Sequence, residues 1–197
     1  MNYLAHLFLS EPSDERRIGS ILADFTVGTI DALQKKYGAQ IATGIKHHRE
    51  VDRYTDSHPA VVNSTGALGS GYGPYSGIIV DVVFDHFLLK NWDRFSAVKE
   101  NDFFNSVYSS LNRWDWEFPS RYQQVIGHMV EKQWLDTYRE LPNVAYALKR
   151  IGERFPRKTP LDNALVGIRE NYSTLEKDFL AFFPSLVKFS GTVDCRV

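Results

Sequence analysis

Apolar residues recur along this chain with helical spacing, and glycine and proline fall between the periodic stretches, so the pattern predicts a succession of helices. Leu4, Leu7 and Phe8 share one face of a short first helix. Ser13 is placed to cap a second, whose apolar positions are Ile18, Ile21, Leu22 and Phe25 and whose end carries Asp24. Ile41, Ile45, His48 and Asp52 follow the i, i+4, i+7, i+11 pattern of a third helix from about Ala39 to Thr55, with Pro59 marking its end. Gly66, Gly69, Gly71, Gly73, Pro74 and Gly77 predict a flexible connection over 63–77. The run from Ile78 to Leu89 is β-branched at its start and is compatible with a buried strand, but its length and the phasing of Asp81, Asp85 and His86 favour helix. Further helices are expected from Asn101 to Trp114, Pro119 to Leu135, Pro142 to Arg154 and Pro160 to Phe182. With no strand pair left, the expectation is an all-α, single-domain helical bundle spanning 1–197.

Composition narrows the function classes. Apolar residues at 43% and aromatics at 14% of 197 residues suffice for a sizeable core. A formal charge of -1 supplies no global field for nucleic acid or an anionic membrane, so neither is an expected partner. The single cysteine, Cys195, cannot form an internal disulfide, and the segment from Met1 to Leu9 lacks the cationic start of a signal peptide. No apolar run reaches the roughly 20 residues of a membrane span. A cytoplasmic location is expected.

Five of the six histidines precede residue 90, among three aspartate-bearing motifs: Leu22-Ala23-Asp24-Phe25, the stretch from Gly44 to Asp56, and Asp81-Val82-Val83-Phe84-Asp85-His86. On a helix His48 and Asp52 project from one face, as do Asp52 with Asp56 and Asp81 with Asp85. Imidazole nitrogen with carboxylate oxygen suits Mn²⁺, Fe²⁺, Zn²⁺ or Mg²⁺, and such an ion serves hydrolysis of a phosphoester. Structural alternatives stand beside each motif. Asp85-His86 also reads as an internally bonded or capping pair, and Asp52 and Asp56 as surface ion pairs with Arg49 and Arg53. Burying Asp81, Asp85 and His86 among valines without partners would be costly, and a metal shared with His48 and Asp52 would supply partners. Periodicity alone makes His6 a satisfied core histidine, turns His47 about 100° away from His48, and puts His58 and His128 at the surface. The four tryptophans, Trp92, Trp114, Trp116 and Trp134, read as core or interface anchors.

Taken in order, Met1-Asn2-Tyr3-Leu4-Ala5-His6-Leu7, Leu22-Ala23-Asp24-Phe25, Gly44-Ile45 with His48-Arg49, Val51-Asp52 and Thr55-Asp56, then Asp81-Val82 and Asp85-His86-Phe87-Leu88, resemble the acyl carrier protein phosphodiesterase family. Phe8 and Lys46 depart from that pattern, standing where relatives carry additional histidines. The resemblance implies an HD-like helical fold, a Mn²⁺-favoured hydrolysis releasing 4'-phosphopantetheine from holo acyl carrier protein, and that carrier as partner. It also implies Asp24, His48, Asp52, Asp85 and His86 as metal and catalytic residues, with His6, Asp56 and Asp81 in support. Asp24 would be a ligand or the base that orients water, and Arg49 would stabilise the phosphodiester charge. A basic docking surface would draw on Arg16, Arg17, Arg49 and Arg53. Two alternatives remain open: an HD-type phosphohydrolase acting on a small phosphoester or nucleotide, and a non-catalytic helical module that binds an acidic partner.

Overall fold

A computed structural model describes residues 1–113 and 117–193, and every regular element among them is helical. In chain order these are α1 (Tyr3–Leu9), α2 (Asp14–Leu22), α3 (Ile30–Tyr37), α4 (Ala39–Ser57), α5 (Pro59–Ala67), α6 (Ser76–Lys90), α7 (Trp92–Phe95), α8 (Glu100–Asn112), α9 (Ser120–Lys132), α10 (Leu141–Gly152), α11 (Ala164–Glu170) and α12 (Tyr172–Ser190). Short 3₁₀ turns join several of them. None of the described helices is long and apolar enough to cross a membrane.

Helix α6 is the central element. Val80, Val82, Val83, Phe84, Phe87, Leu88 and Leu89 are all buried, so it is apolar around most of its circumference and is packed on several sides, by α1, α5, α10 and α12. Phe84 and Phe87 meet Phe179 of α12 at ring-centroid distances of 5.4 and 5.9 Å. Ser13 caps α2 as expected, its hydroxyl accepting from the Arg16 N–H at 3.2 Å.

Helices α2 and α4 cross at two glycines, and this crossing sets one side of the site. A Cβ on Gly19 would lie 2.1 Å from the Ile41 carbonyl oxygen, and one on Gly44 would lie 2.4 Å from that of Arg16. His48 stands one turn beyond Gly44, so the approach of these backbones fixes its position relative to the end of α2. Gly44→Ala is expected to push the helices apart and destabilise the protein by about 1–3 kcal/mol. Thermal melting checks this.

The structure corrects several boundaries. Helix α3 lay unassigned in the sequence because it buries only Leu33 and Tyr37, although Thr29 caps it through the Ala32 N–H and Gly38, at φ 86°, ends it. Much of the supposed connection over 63–77 is ordered: α5 starts on Pro59 and runs to Ala67, and the Asn63 and Ser64 side chains hold the Asp178 carboxylate at 2.8 and 2.9 Å. Helix α9 stops at Lys132 because Gln133 adopts a left-handed conformation. The expected helix from Pro160 to Phe182 is instead a 3₁₀ turn, α11 and α12, and α12 passes through Pro184 to Ser190. Trp114, Trp116 and Cys195 lie outside the described residues.

Candidate functional site

One turn of α4 supplies the core of the site. His48 and Asp52 stack at i, i+4, with His48 Nε2 3.0 Å from Asp52 Oδ2. Helix α1 lays His6 against them: its Nε2 is 2.9 Å from Asp52 Oδ1, and its ring stacks on that of His48 at 3.7 Å between centroids. The 3₁₀ turn after α2 brings Asp24, whose Oδ1 lies 3.3 Å from His48 Nε2. From α6, Asp81 shares the Met1 α-ammonium with Asp52, at 3.1 and 3.2 Å. His6, set aside by periodicity as a core histidine, is therefore part of the cluster. Its burial was legible, but its partners, distant in sequence on α4, were not.

The two imidazoles are buried, whereas the Asp24, Asp52 and Asp81 side chains keep 45, 37 and 33% of their surface exposed. Burial and the neighbouring His48 hold the His6 pKa down to about 4, so this ring is neutral. Burial opposes protonation of His48 too, but hydrogen bonds to Asp24 and Asp52 outweigh it and lift this ring to about 9. Burial works to raise the Asp52 pKa, but bonds from the two imidazoles overcome it and hold the carboxyl well below the ordinary range.

Asp24 and Asp52 open onto a cleft of about 290 Å³ that Asp56 and Asp81 also line, with Ile78, Val82 and Ile151 as its apolar side; the buried His6 and His48 contact Asp52 but do not line it. Four carboxylates face one ammonium there. A cleft of that sign attracts cations, and the donor set suits a divalent one. His6, His48 and Asp52 present ligand atoms all within 4.8 Å of one another. His6 meets one oxygen of the Asp52 carboxylate and His48 the other, so the donors converge on a single side chain.

A family model, acyl carrier protein phosphodiesterase, matches residues 1–186. The chain belongs to the acyl carrier protein phosphodiesterase family. It is 34% identical to the acyl carrier protein phosphodiesterase of Yersinia enterocolitica, covering 95% of this chain and 96% of that one. Similarity to the proteins of the same name from Yersinia pestis, at 33% with 95 and 96% covered, and Photorhabdus laumondii, at 30% with 98 and 97% covered, is of the same kind. No solved structure matches.

In this member of the acyl carrier protein phosphodiesterase family, the Asp85-His86 pair lies apart from the cluster. The buried Asp85 carboxylate accepts the backbone N–H groups of Leu4 at 3.0 Å and Ala5 at 2.9 Å, so it caps α1 from across the core. Burial pushes its pKa up to about 7 against those two bonds. His86 turns to a different face of α6. Its Nδ1 donates to the Tyr138 carbonyl at 2.9 Å, which leaves Nε2 to accept from the Tyr172 hydroxyl, also at 2.9 Å. Lys90 donates to the same hydroxyl at 2.8 Å. Both ring nitrogens of His86 are thus engaged in a second cleft, distinct from the acidic one. The internally bonded alternative describes the contacts that these two side chains make.

Arg49 holds backbone. Its guanidinium donates to the Gly28 carbonyl at 2.9 Å and the Thr26 carbonyl at 3.3 Å, which fastens the loop following Asp24. Arg17 is buried against the Ser106 and Ser110 hydroxyls, Arg16 pairs with Gln40 and Glu11, and Arg53 pairs with Glu50. His47 bonds Ser190 at 2.8 Å, away from His48 as expected, while His58, expected at the surface, is half-buried as the cap of α5.

These ionisations fix the sign of one pH effect in metal-free protein. His48 is raised above its ordinary value of 6.5, so its stabilising contribution is fully present below about pH 6.5 and is lost as pH rises through about 9. Asp85, raised from 3.8 to about 7, binds its proton more tightly folded than unfolded, which also favours the fold at lower pH. Metal-free protein is expected to melt several degrees lower at pH 9.5 than at pH 6. An increase in melting temperature over that interval would contradict the assigned His48 environment.

Proposed function

We propose that this chain is a metal-dependent phosphodiesterase that releases 4'-phosphopantetheine from holo acyl carrier protein, leaving the apo form. The observation that carries this reading is the His6–His48–Asp52 donor set, whose Asp52 opens onto a cleft lined by further carboxylates. A divalent cation bound there, Mn²⁺ in the first instance, supplies Lewis-acid polarisation of a phosphoryl oxygen and lowers the pKa of a water. His6, His48 and Asp52 would hold it, with Asp24 at the edge of the set.

The chain's own residues do the rest. Asp52 holds both imidazoles, one through each carboxylate oxygen. Asp24, nearly half exposed and facing the cleft, is placed to take the proton of the attacking water, while Arg49 holds the loop that positions it. Asp85 acts at a distance, by seating α1 and with it His6. At about 290 Å³ the cleft is at the small end for binding a whole cofactor or nucleotide. It suits a phosphodiester presented from outside by a larger partner.

The test is intact-mass measurement of holo carrier protein after incubation with purified protein and Mn²⁺, beside an EDTA control. A loss equal to one phosphopantetheine, abolished by EDTA, is expected. Turnover of bis(4-nitrophenyl) phosphate with none of holo carrier protein would move the function to small phosphoesters. Binding of the carrier without turnover under any divalent metal would make the chain a binding module.

A further inference from the structure

The acidic cleft attracts a metal but repels the anion that has to meet it. Asp24, Asp52, Asp56 and Asp81 line the walls against one ammonium, so the lining offers a phosphodiester little positive charge of its own. Some cation must face the substrate from the rim. Arg49 is bound to two backbone carbonyls, and Arg53 is paired with Glu50.

A different arginine lies next to the cleft wall. Ile151 of α10 forms part of the cleft wall, and Arg154 follows one turn later, its backbone N–H bonded to the Ile151 carbonyl at 3.1 Å. The Arg154 side chain is exposed and lies within hydrogen-bonding reach of the Tyr3 hydroxyl. Asp24 and Arg121, an exposed residue in the first turn of α9, are the other charged groups acting on that hydroxyl. Tyr3 is held on two sides: Asp85 caps the helix it opens, and its ring packs on Trp134 at 6.2 Å. Burial pushes its phenol up to about 12, so it keeps its proton and remains a donor. Among the described residues neither Arg154 nor Arg121 forms an ion pair with a carboxylate. Arg154, next to the cleft wall and without an ion pair, and Arg121, which with Asp24 acts on the Tyr3 hydroxyl, are thus cations available near the cleft.

We propose that Arg154, steadied by the Tyr3 hydroxyl and backed by Arg121, is the anion-binding arm of the cleft, which takes the non-bridging oxygens of a phosphodiester and draws it to the acidic floor. A guanidinium presents paired N–H donors that match a phosphate edge, and at an otherwise acidic site it also offsets the repulsion. The inference rests on the phosphodiesterase reading for its ligand class, but its test does not depend on turnover.

Diphenyl phosphate is the probe, titrated calorimetrically into Mn²⁺-loaded wild type and the variants Arg154→Ala, Arg154→Lys, Arg121→Ala and Arg157→Ala. Arg157 is an exposed arginine three residues on and serves as the control for diffuse charge. Arg154→Ala is expected to weaken binding about tenfold, Arg121→Ala about threefold and Arg157→Ala less than about twofold, with Arg154→Lys recovering part of the loss. Melting temperatures should stay at the wild-type value. On holo carrier protein, Arg154→Ala should raise KM by a similar factor and leave kcat within about threefold. Wild-type affinity in Arg154→Ala, an equal loss in Arg157→Ala, or no binding of diphenyl phosphate by wild type would each overturn the arm. If wild type binds the probe through Arg154 but leaves holo carrier protein intact, the arm stands and the proposed substrate falls. Turnover of holo carrier protein with an unchanged KM in Arg154→Ala would instead uphold the substrate and overturn the arm.

Discussion

Asp52→Asn is expected to lower Mn²⁺ affinity and turnover at limiting Mn²⁺ by at least about a hundredfold, while the protein stays folded. The reason is that this one carboxylate touches both imidazoles, His6 at 2.9 Å and His48 at 3.0 Å, and the α-ammonium at 3.2 Å. Asparagine keeps the shape and removes the charge. Without that charge the His48 pKa should fall from about 9 toward its ordinary value, since Asp52 is one of the two bonds that lift it. The reduced metal affinity would therefore occur despite easier deprotonation of His48, which separates loss of a ligand from a mere change in proton competition. Competitive Mn²⁺ titration with NMR titration of the imidazoles checks both parts. Wild-type affinity in Asp52→Asn would remove Asp52 from the metal set.

Asp85→Ala should behave differently, with a large loss of stability and a secondary loss of function. Its carboxylate is the acceptor for two buried N–H groups of α1, and truncation leaves both unsatisfied in a core position. A loss of about 2–4 kcal/mol is expected, from the missing cap, the desolvated donors and the space left behind. For a chain of this size the melting temperature should fall by roughly 5–15 °C. Because α1 carries His6, metal affinity and turnover should decline with α1 order even below the new transition. Asp85→Asn, which keeps one acceptor oxygen, should fall between wild type and alanine. A variant that melts like wild type yet binds no metal would make Asp85 a direct ligand instead.

The helical character of the chain and the α4 half of the site were readable because both are local. A helix enforces i, i+4 alignment, so the pairing of His48 with Asp52 follows from spacing. Asp85 and His86 exposed the limit of that logic. Adjacent residues on a helix point about 100° apart, so a contiguous Asp-His dipeptide in a motif does not imply a shared target. Here one member caps α1 and the other bonds Tyr138 and Tyr172. His6 showed the converse: its role depends on where α1 docks, and that is set by Asp85, some 80 residues away in sequence. Arg49 reads from sequence as a cation beside the motif, but its partners are carbonyls of a loop whose path no periodicity describes. Helices α3 and α5 were lost to weak apolar patterning and to glycine, and their caps at Thr29 and His58 were the signals available to find them.

The proposed catalytic ion belongs in the acidic cleft, on His6, His48 and Asp52, and not on the Asp85-His86 pair. Anomalous diffraction at the manganese edge, from crystals of wild-type protein grown with Mn²⁺, locates it. The expected peak lies about 2.2 Å from the Nε2 atoms of His6 and His48 and from an Asp52 carboxylate oxygen. A peak bonded to Asp85 or His86, with no density at the His6–His48–Asp52 cluster, would overturn the assignment.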